Sequence, residues 1–101
     1  MPQLLQLTIH STPALVLFDS GSTHAFIATA FATRFGMTIE DLGYDLTVST
    51  PTGVVLTTEV CVRDVAMVIQ RRILITDFTM LPMREFNAIF DMDWMTRHRA
   101  N

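Results

Sequence analysis

"ALVLFDSGSTHAFIATAF", residues 14–31, runs an apolar segment into Asp-Ser-Gly and then into a helix-like pattern. Residues 14–18 are apolar at every position, so a strand built from them has both faces covered and lies inside a sheet, away from its edge. Asp19 falls at the C-terminal end of that strand, where the chain turns. An ionised carboxylate buried there costs several kcal/mol unless partners are supplied, so the position either exposes the group or uses it. Gly21 allows a backbone path closed to other residues and lets a second chain or a ligand come close. Asp, Ser and Gly also favour plain turns, and the tripeptide by itself leaves both readings open.

Outward from this stretch the patterning is mostly that of strands. Leu5, Leu7 and Ile9 alternate with Gln6 and Thr8, the period of a half-buried strand, and "HSTP" at 10–13 supplies turn chemistry. After Gly21, Phe26, Ile27, Ala30, Phe31 and Phe35 recur at helical spacing, which predicts a helix over 23–35 with Thr23 as N-cap and Gly36 as its stop. β-rich segments follow at about 44–49, 54–62, 65–69 and 73–80. "TPTG" at 50–53 sets Pro second and Gly fourth in a tight turn, so the first two of these segments form a hairpin with a mobile tip. "FDMDWMTRHR" at 90–99 reads as a short helix whose first turn carries Asp91 and Asp93, where acids complement the helix dipole. No repeat, low-complexity tract or linker divides residues 1–101, which read as one domain.

Composition narrows the function classes. In 101 residues, 50% are apolar and 17% charged, ample material for one modest core, or for half of an assembly with a second copy. Ten acids against seven bases give a net charge of -3 with no basic stripe, so nucleic acid is not an expected partner. The longest apolar runs, "ALVLF" and "VAMVI", fall far short of the roughly 20 residues that cross a bilayer, and no membrane span is expected. The opening "MPQLLQLTIH" lacks the basic and long apolar regions of a secretion signal. Cys61, the one cysteine, has no internal partner; a reducing, cytoplasmic setting fits it, and it reads as a small buried hydrophobe. His10, His24 and His98 are too widely separated to form a metal-ligand motif, and no metal or other cofactor is expected. A serine nucleophile, Ser20 or Ser22, would need a base and an orienting acid, and "GxSxG" is absent. Trp94 and the seven methionines read as fillers of core gaps.

"LVLFDSGSTHAFI" at 15–27 together with "FNAIFDMDWMTRHRA" at 86–100 resembles the retropepsin-like aspartic proteases, and within them the protease domain of plant Ty3/Gypsy-type retrotransposon polyproteins. The Asp-Ser-Gly strand, "THAFIATAFATRFGM", the "STPTG" hairpin and the "MDW" tail fall in the family's order along nearly the whole chain. The ubiquitin-shuttle relatives of the DNA-damage-inducible type look similar in the same segments. The resemblance implies a mainly β fold with two short helices, the closed, barrel-like half of a pepsin-type bilobal enzyme. It also implies a homodimer in which each subunit gives one aspartate, so that Asp19 is half of a catalytic pair. Two like charges brought to roughly 3 Å cannot both ionise, and the pair shares a proton. The ionised member then acts as general base on a water while the protonated one donates to the scissile carbonyl, with an acidic pH optimum.

By the same resemblance, Ser20 bonds across the two-fold axis, Gly21 lets the chains approach, and Ser22 donates toward the carboxylate. Pro51, Thr52 and Gly53 belong to the flap, which closes over an extended peptide substrate, and Ile89 is a wall of an apolar pocket. The substrate is then a polyprotein, processed in the cytoplasm or in virus-like particles. Several positions depart from the family's pattern. Asp91 replaces a glycine that packs behind the catalytic turn, adding bulk and a charge that disfavours ionisation of the active pair. Asn87 stands where Asp is usual, and Arg71 in a turn where glycine is usual. The chain stops at Asn101, before the strand that relatives contribute to the dimer interface. These departures support a second reading, a catalytically silent domain that binds peptide or dimerises. A third is an unrelated β-rich binding domain in which Asp-Ser-Gly is only a turn.

Overall fold

The computed structural model describes residues 3–19, 24–49 and 53–91, with Asp91 described by its backbone. Its elements are β1 (Gln3–Ile9), β2 (Thr12–Asp19), β3 (Phe26–Ala28), α1 (Thr29–Arg34), β4 (Glu40–Ser49), β5 (Val55–Ile69), β6 (Arg72–Leu81) and β7 (Ala88–Asp91). The strands form one sheet in the order β1-β2-β7-β3-β6-β5-β4, and a further pairing of β1 with β5 closes the first six into a barrel. β5 makes this possible by its length: its first half pairs with β4 from Val55 to Cys61, while Met67 and Val68, further along the same edge, pair with Ile9 and Thr8. The fold is therefore mainly β and closed on itself, as the resemblance implied.

Inside the barrel, Phe90 meets Phe18 edge to face at 5.9 Å and Phe78 at 6.3 Å. All three are at most 2% exposed, and truncating one such ring costs about 3–5 kcal/mol, a large part of a small domain's stability. Met67 and Met80 are fully enclosed in the same core, and Cys61 is buried on β5, the packing roles read from the sequence. "ALVLF" lies in β2 between β1 and β7, away from the sheet edge, although Leu15 is 37% exposed.

Three segments differ from their sequence reading. The predicted helix over 23–35 is helical only from Thr29; Phe26–Ala28 instead forms β3, wedged between β7 and β6. Phe26, Ile27 and Ala28 are each 3% exposed or less; consecutive side chains of a strand point to opposite faces, so both faces of β3 are covered. The helix does stop at Gly36: Gly36 N–H donates to Thr33 and Met37 N–H to Ala32, with Gly36 at φ +69, a Schellman arrangement that glycine adopts without strain. Thr23 lies outside the described residues. Phe90 and Asp91 belong to a strand, β7, not to the first turn of a helix, because Phe90 fills the barrel; Asp93 and the rest of that tail lie outside the described residues.

Segments 54–62 and 65–69 are one strand, bent where Arg63 and Asp64 interrupt the register with β6. Asp64 takes φ +56 there, and its N–H donates to Asp77 Oδ1 at 2.9 Å, replacing the lost ladder bond. β4 starts at Glu40, earlier than read, because a bulge between Asp41 and Leu46, with Gly43 at φ +94, hides the strand in turn-like composition. The hairpins β1–β2 and β5–β6 turn on His10-Ser11 and Gln70-Arg71, all four at positive φ, the signature of type I′ turns made here without glycine.

Thr76 is 9% exposed, and its Oγ1 has no hydrogen-bond partner among the described residues. A buried, unpaired hydroxyl costs about 1–3 kcal/mol, and valine has nearly the same shape. Thr76→Val should raise stability by about 1 kcal/mol, read as a higher urea midpoint at fixed protein concentration. An unchanged or lower midpoint contradicts this account of Thr76.

Candidate active site

Asp19 ends β2 and is half-buried. Its neighbour in the parallel ladder is Asp91, the last residue of β7, so the two strands finish side by side on acidic residues. β2 and β3 are consecutive strands, yet β7 lies between them, and the link after Asp19 must carry the chain from one side of β7 to the other. Asp19 is thus the last residue of a strand whose edge toward β3 is already taken by β7.

Asn87 locks the arrangement just upstream. Its N–H donates to Leu15 O at 2.8 Å, its Oδ1 accepts the Leu15 N–H at 2.7 Å, and its carbonyl accepts the Ala28 N–H at 2.8 Å. One residue thus ties β2 and β3 to the start of β7. The Thr79 N–H to Ala25 O bond, 2.9 Å, fixes the entry to β3 from the other side.

Adjacent positions of the ladder share a face. Leu17 of β2 pairs with Ile89 of β7, and Ile89 with Phe26 of β3. Asp19 follows Leu17 by two residues and stands on that same face, so Leu17, Ile89 and Phe26 form the apolar floor leading to it. Ile89 is 2% exposed and packed between its two neighbours. Leu17 and Phe26 were not singled out from the sequence; the alternation within "LVLFD" identifies Leu17 as a face-mate of Asp19, but Phe26 needed the position of β3.

Of the other residues named from the sequence, Ser20, Gly21, Ser22, Pro51 and Thr52 lie outside the described residues. Gly53 is exposed at φ +88, where an added Cβ would touch nothing within 4 Å, so backbone conformation is what favours glycine there. It follows the tip of the β4–β5 hairpin, whose ladder runs from Ser49↔Val55, and Val54 and Val55 beside it are 50% and 62% exposed. His24 is exposed, with its ring 5.9 Å from that of Phe26. Among the described residues no three His, Cys, Asp or Glu side chains converge on a metal position. No helix among them is long and apolar enough to cross a membrane.

These features agree with the chain's relationships. The retroviral aspartyl protease family matches residues 3–101, and the chain belongs to that family. Its fold is similar to that of the EIAV protease complexed with the inhibitor HBY-793, at TM-score 0.73 and 18% identity over 100% of this chain and 91% of that one. It is also similar to the retroviral protease-like domain of Ddi1 from Leishmania major, at TM-score 0.67 and 16% identity over 95% and 76% of the two chains. The Simian Foamy Virus (mac) protease gives TM-score 0.61 and 16% identity over 98% of each chain. No curated protein matches the chain by sequence.

The role given to Asn87 is open to a direct check. Asn87→Ala leaves the Leu15 N–H without its acceptor and should lower stability by about 1 kcal/mol, whereas Asn87→Asp, which keeps an oxygen there, should lower it less. Equal urea midpoints for the two variants would count against the bond's importance.

Proposed function

We propose that the chain is an aspartic endopeptidase that works as a homodimer, with Asp19 of two copies sharing one proton around a bound water. The observation that carries this reading is the placement of Asp19 at the end of β2 beside the inserted strand β7, in a chain of the retroviral aspartyl protease family. The dyad's ionised member acts as general base on the water and its protonated member as acid toward the scissile carbonyl, without a covalent intermediate. Ser20 and Gly21 hold the two turns together, and Ser22 donates toward the carboxylate. The β4–β5 hairpin, with Pro51, Thr52 and Gly53 at its tip, is the flap; exposed Val54 and Val55 suit a cover for apolar peptide. Ile89, with Leu17 and Phe26, sets a preference for apolar side chains. The substrate in this reading is the polyprotein of a plant Ty3/Gypsy-type element, processed in the cytoplasm or within its particles.

A second reading has its own support. Asp91 neighbours Asp19 in the ladder, at the position where the family carries glycine, and a carboxylate there favours a copy that keeps the fold as a peptide-binding or dimerisation module without turnover.

Cleavage of an apolar peptide at about pH 5 separates the two. Activity inhibited by pepstatin and lowered about a thousandfold or more in Asp19→Asn is the expected result. Activity that appears only after Asp91→Gly favours the silent module, and activity indifferent to Asp19→Asn contradicts the catalytic role of Asp19.

A further inference from the structure

The outer face of the β5–β6 hairpin carries an apolar surface that the site at Asp19 does not use. Ile73 and Ile75 of β6 are 70% and 60% exposed. Their cross-strand partners on β5 are Val68 and Ala66, both half-buried, and the Ile73–Val68 row continues through Thr8 of β1 to Pro13 of β2. Leu15, 37% exposed, extends the surface one step along β2. No charged residue interrupts these rows.

Charge is confined to the two ends. Beyond Ile75 on the same face stands exposed Asp77, joined to exposed Asp64 at the bulge by the Asp64 N–H bond. Beyond Ile73, at the hairpin tip, stands exposed Arg71, held at φ +67 in a position that glycine would occupy without strain. From the hairpin tip along β6 the order is exposed Arg71 in the turn, then Ile73, Ile75 and Asp77 on the outer face of the strand, which is positive, apolar, apolar, negative.

A stripe of that kind is complementary to its own reverse. We propose that this face docks a second copy of the chain about a two-fold axis near Leu74. Ile73 of each copy then covers Ile75 of the other, and Arg71 of each meets Asp77 and Asp64 of the other. The burial removes the most exposed isoleucines from water, and the end charges fix an antiparallel register in which like charges stay apart. A membrane surface has no use for the acidic end. Pro13, Leu15 and Asp19 share one face of β2, but the contact is centred on β6, three strands away round the barrel, and Pro13 is six residues, about 20 Å at the rise of a strand, from Asp19, so Asp19 lies beyond it and any pairing there adds to it. With both contacts the chain builds assemblies larger than a dimer. The inference does not depend on the peptidase reading.

Sedimentation velocity of the full chain over a range of concentrations at low salt tests it. Ile75→Lys, Arg71→Asp and Asp77→Arg should each weaken association at least about tenfold, and the double variant Arg71→Asp/Asp77→Arg should restore it. Because Asp77 also receives the Asp64 N–H, Ile73→Cys gives an independent readout. A short bifunctional maleimide should link that variant into dimers, while the parent, whose one cysteine is 3% exposed, stays unlinked, and adding Ile75→Lys suppresses the product. Association indifferent to these changes, lost in Ile75→Lys but blind to charge reversal, or not restored in the double variant overturns the proposal. Peptidase activity reports pairing at Asp19 separately, so the two contacts can fail independently.

Discussion

The structure depends on one insertion. β7, four residues long, lies between two strands that follow each other in the chain, and it can hold that place only because both of its edges and both of its faces are satisfied. It pairs with β2 in parallel and β3 antiparallel, Asn87 adds three hydrogen bonds at its start, and Ala88, Ile89 and Phe90 are buried to 2% exposure or less. Phe90 reaches the barrel interior to meet Phe18 and Phe78, so the strand that flanks Asp19 is also the centre of the aromatic core. Packing and the candidate site share the same residues, and a substitution that loosens β7 acts on both.

That sharing gives the site its rigidity. A half-buried carboxylate at a strand end is held by the ladders on either side of it, not by a loop. The long β4–β5 hairpin is built differently: its ladder is interrupted by a bulge, its acids and the valines Val54 and Val55 are exposed, and β4 lies outside the closed barrel. Rigid support under the acid and a more exposed arm elsewhere in the sheet suit the proposed reaction, which needs a fixed acid and a closing cover. The same barrel leaves the outer face of β5 and β6 bare, where two isoleucines sit between an arginine and a pair of acids.

The sequence made the β character legible because alternation in β1 and the unbroken apolar run in β2 are local signals, and Asp19 was conspicuous as a charge at the end of that run. Membership of the family was also legible, since the Asp-Ser-Gly strand and the "IFDMDW" segment occur together. What was hidden is non-local. Phe26 and Ile27 satisfy a helical period and a buried strand equally well, and only the slot between β7 and β6 decides between them. Phe90 and Asp91 look like a helix start until their partners on β2 are known. Asn87 stood out only as a departure from the family, yet its side-chain oxygen does what a carboxylate oxygen would do for the Leu15 N–H. The glycine-free turns at 10–11 and 70–71 carry no sequence signal of their type, because the paired strands impose positive φ on residues that do not favour it.

The central claim is that two chains make one site from their two copies of Asp19. Titration with a peptide that carries a hydroxyl in place of the scissile bond, followed by calorimetry, counts sites directly. Saturation at one inhibitor per two chains is the predicted result. Saturation at one inhibitor per chain, or no binding by a folded protein, would contradict it.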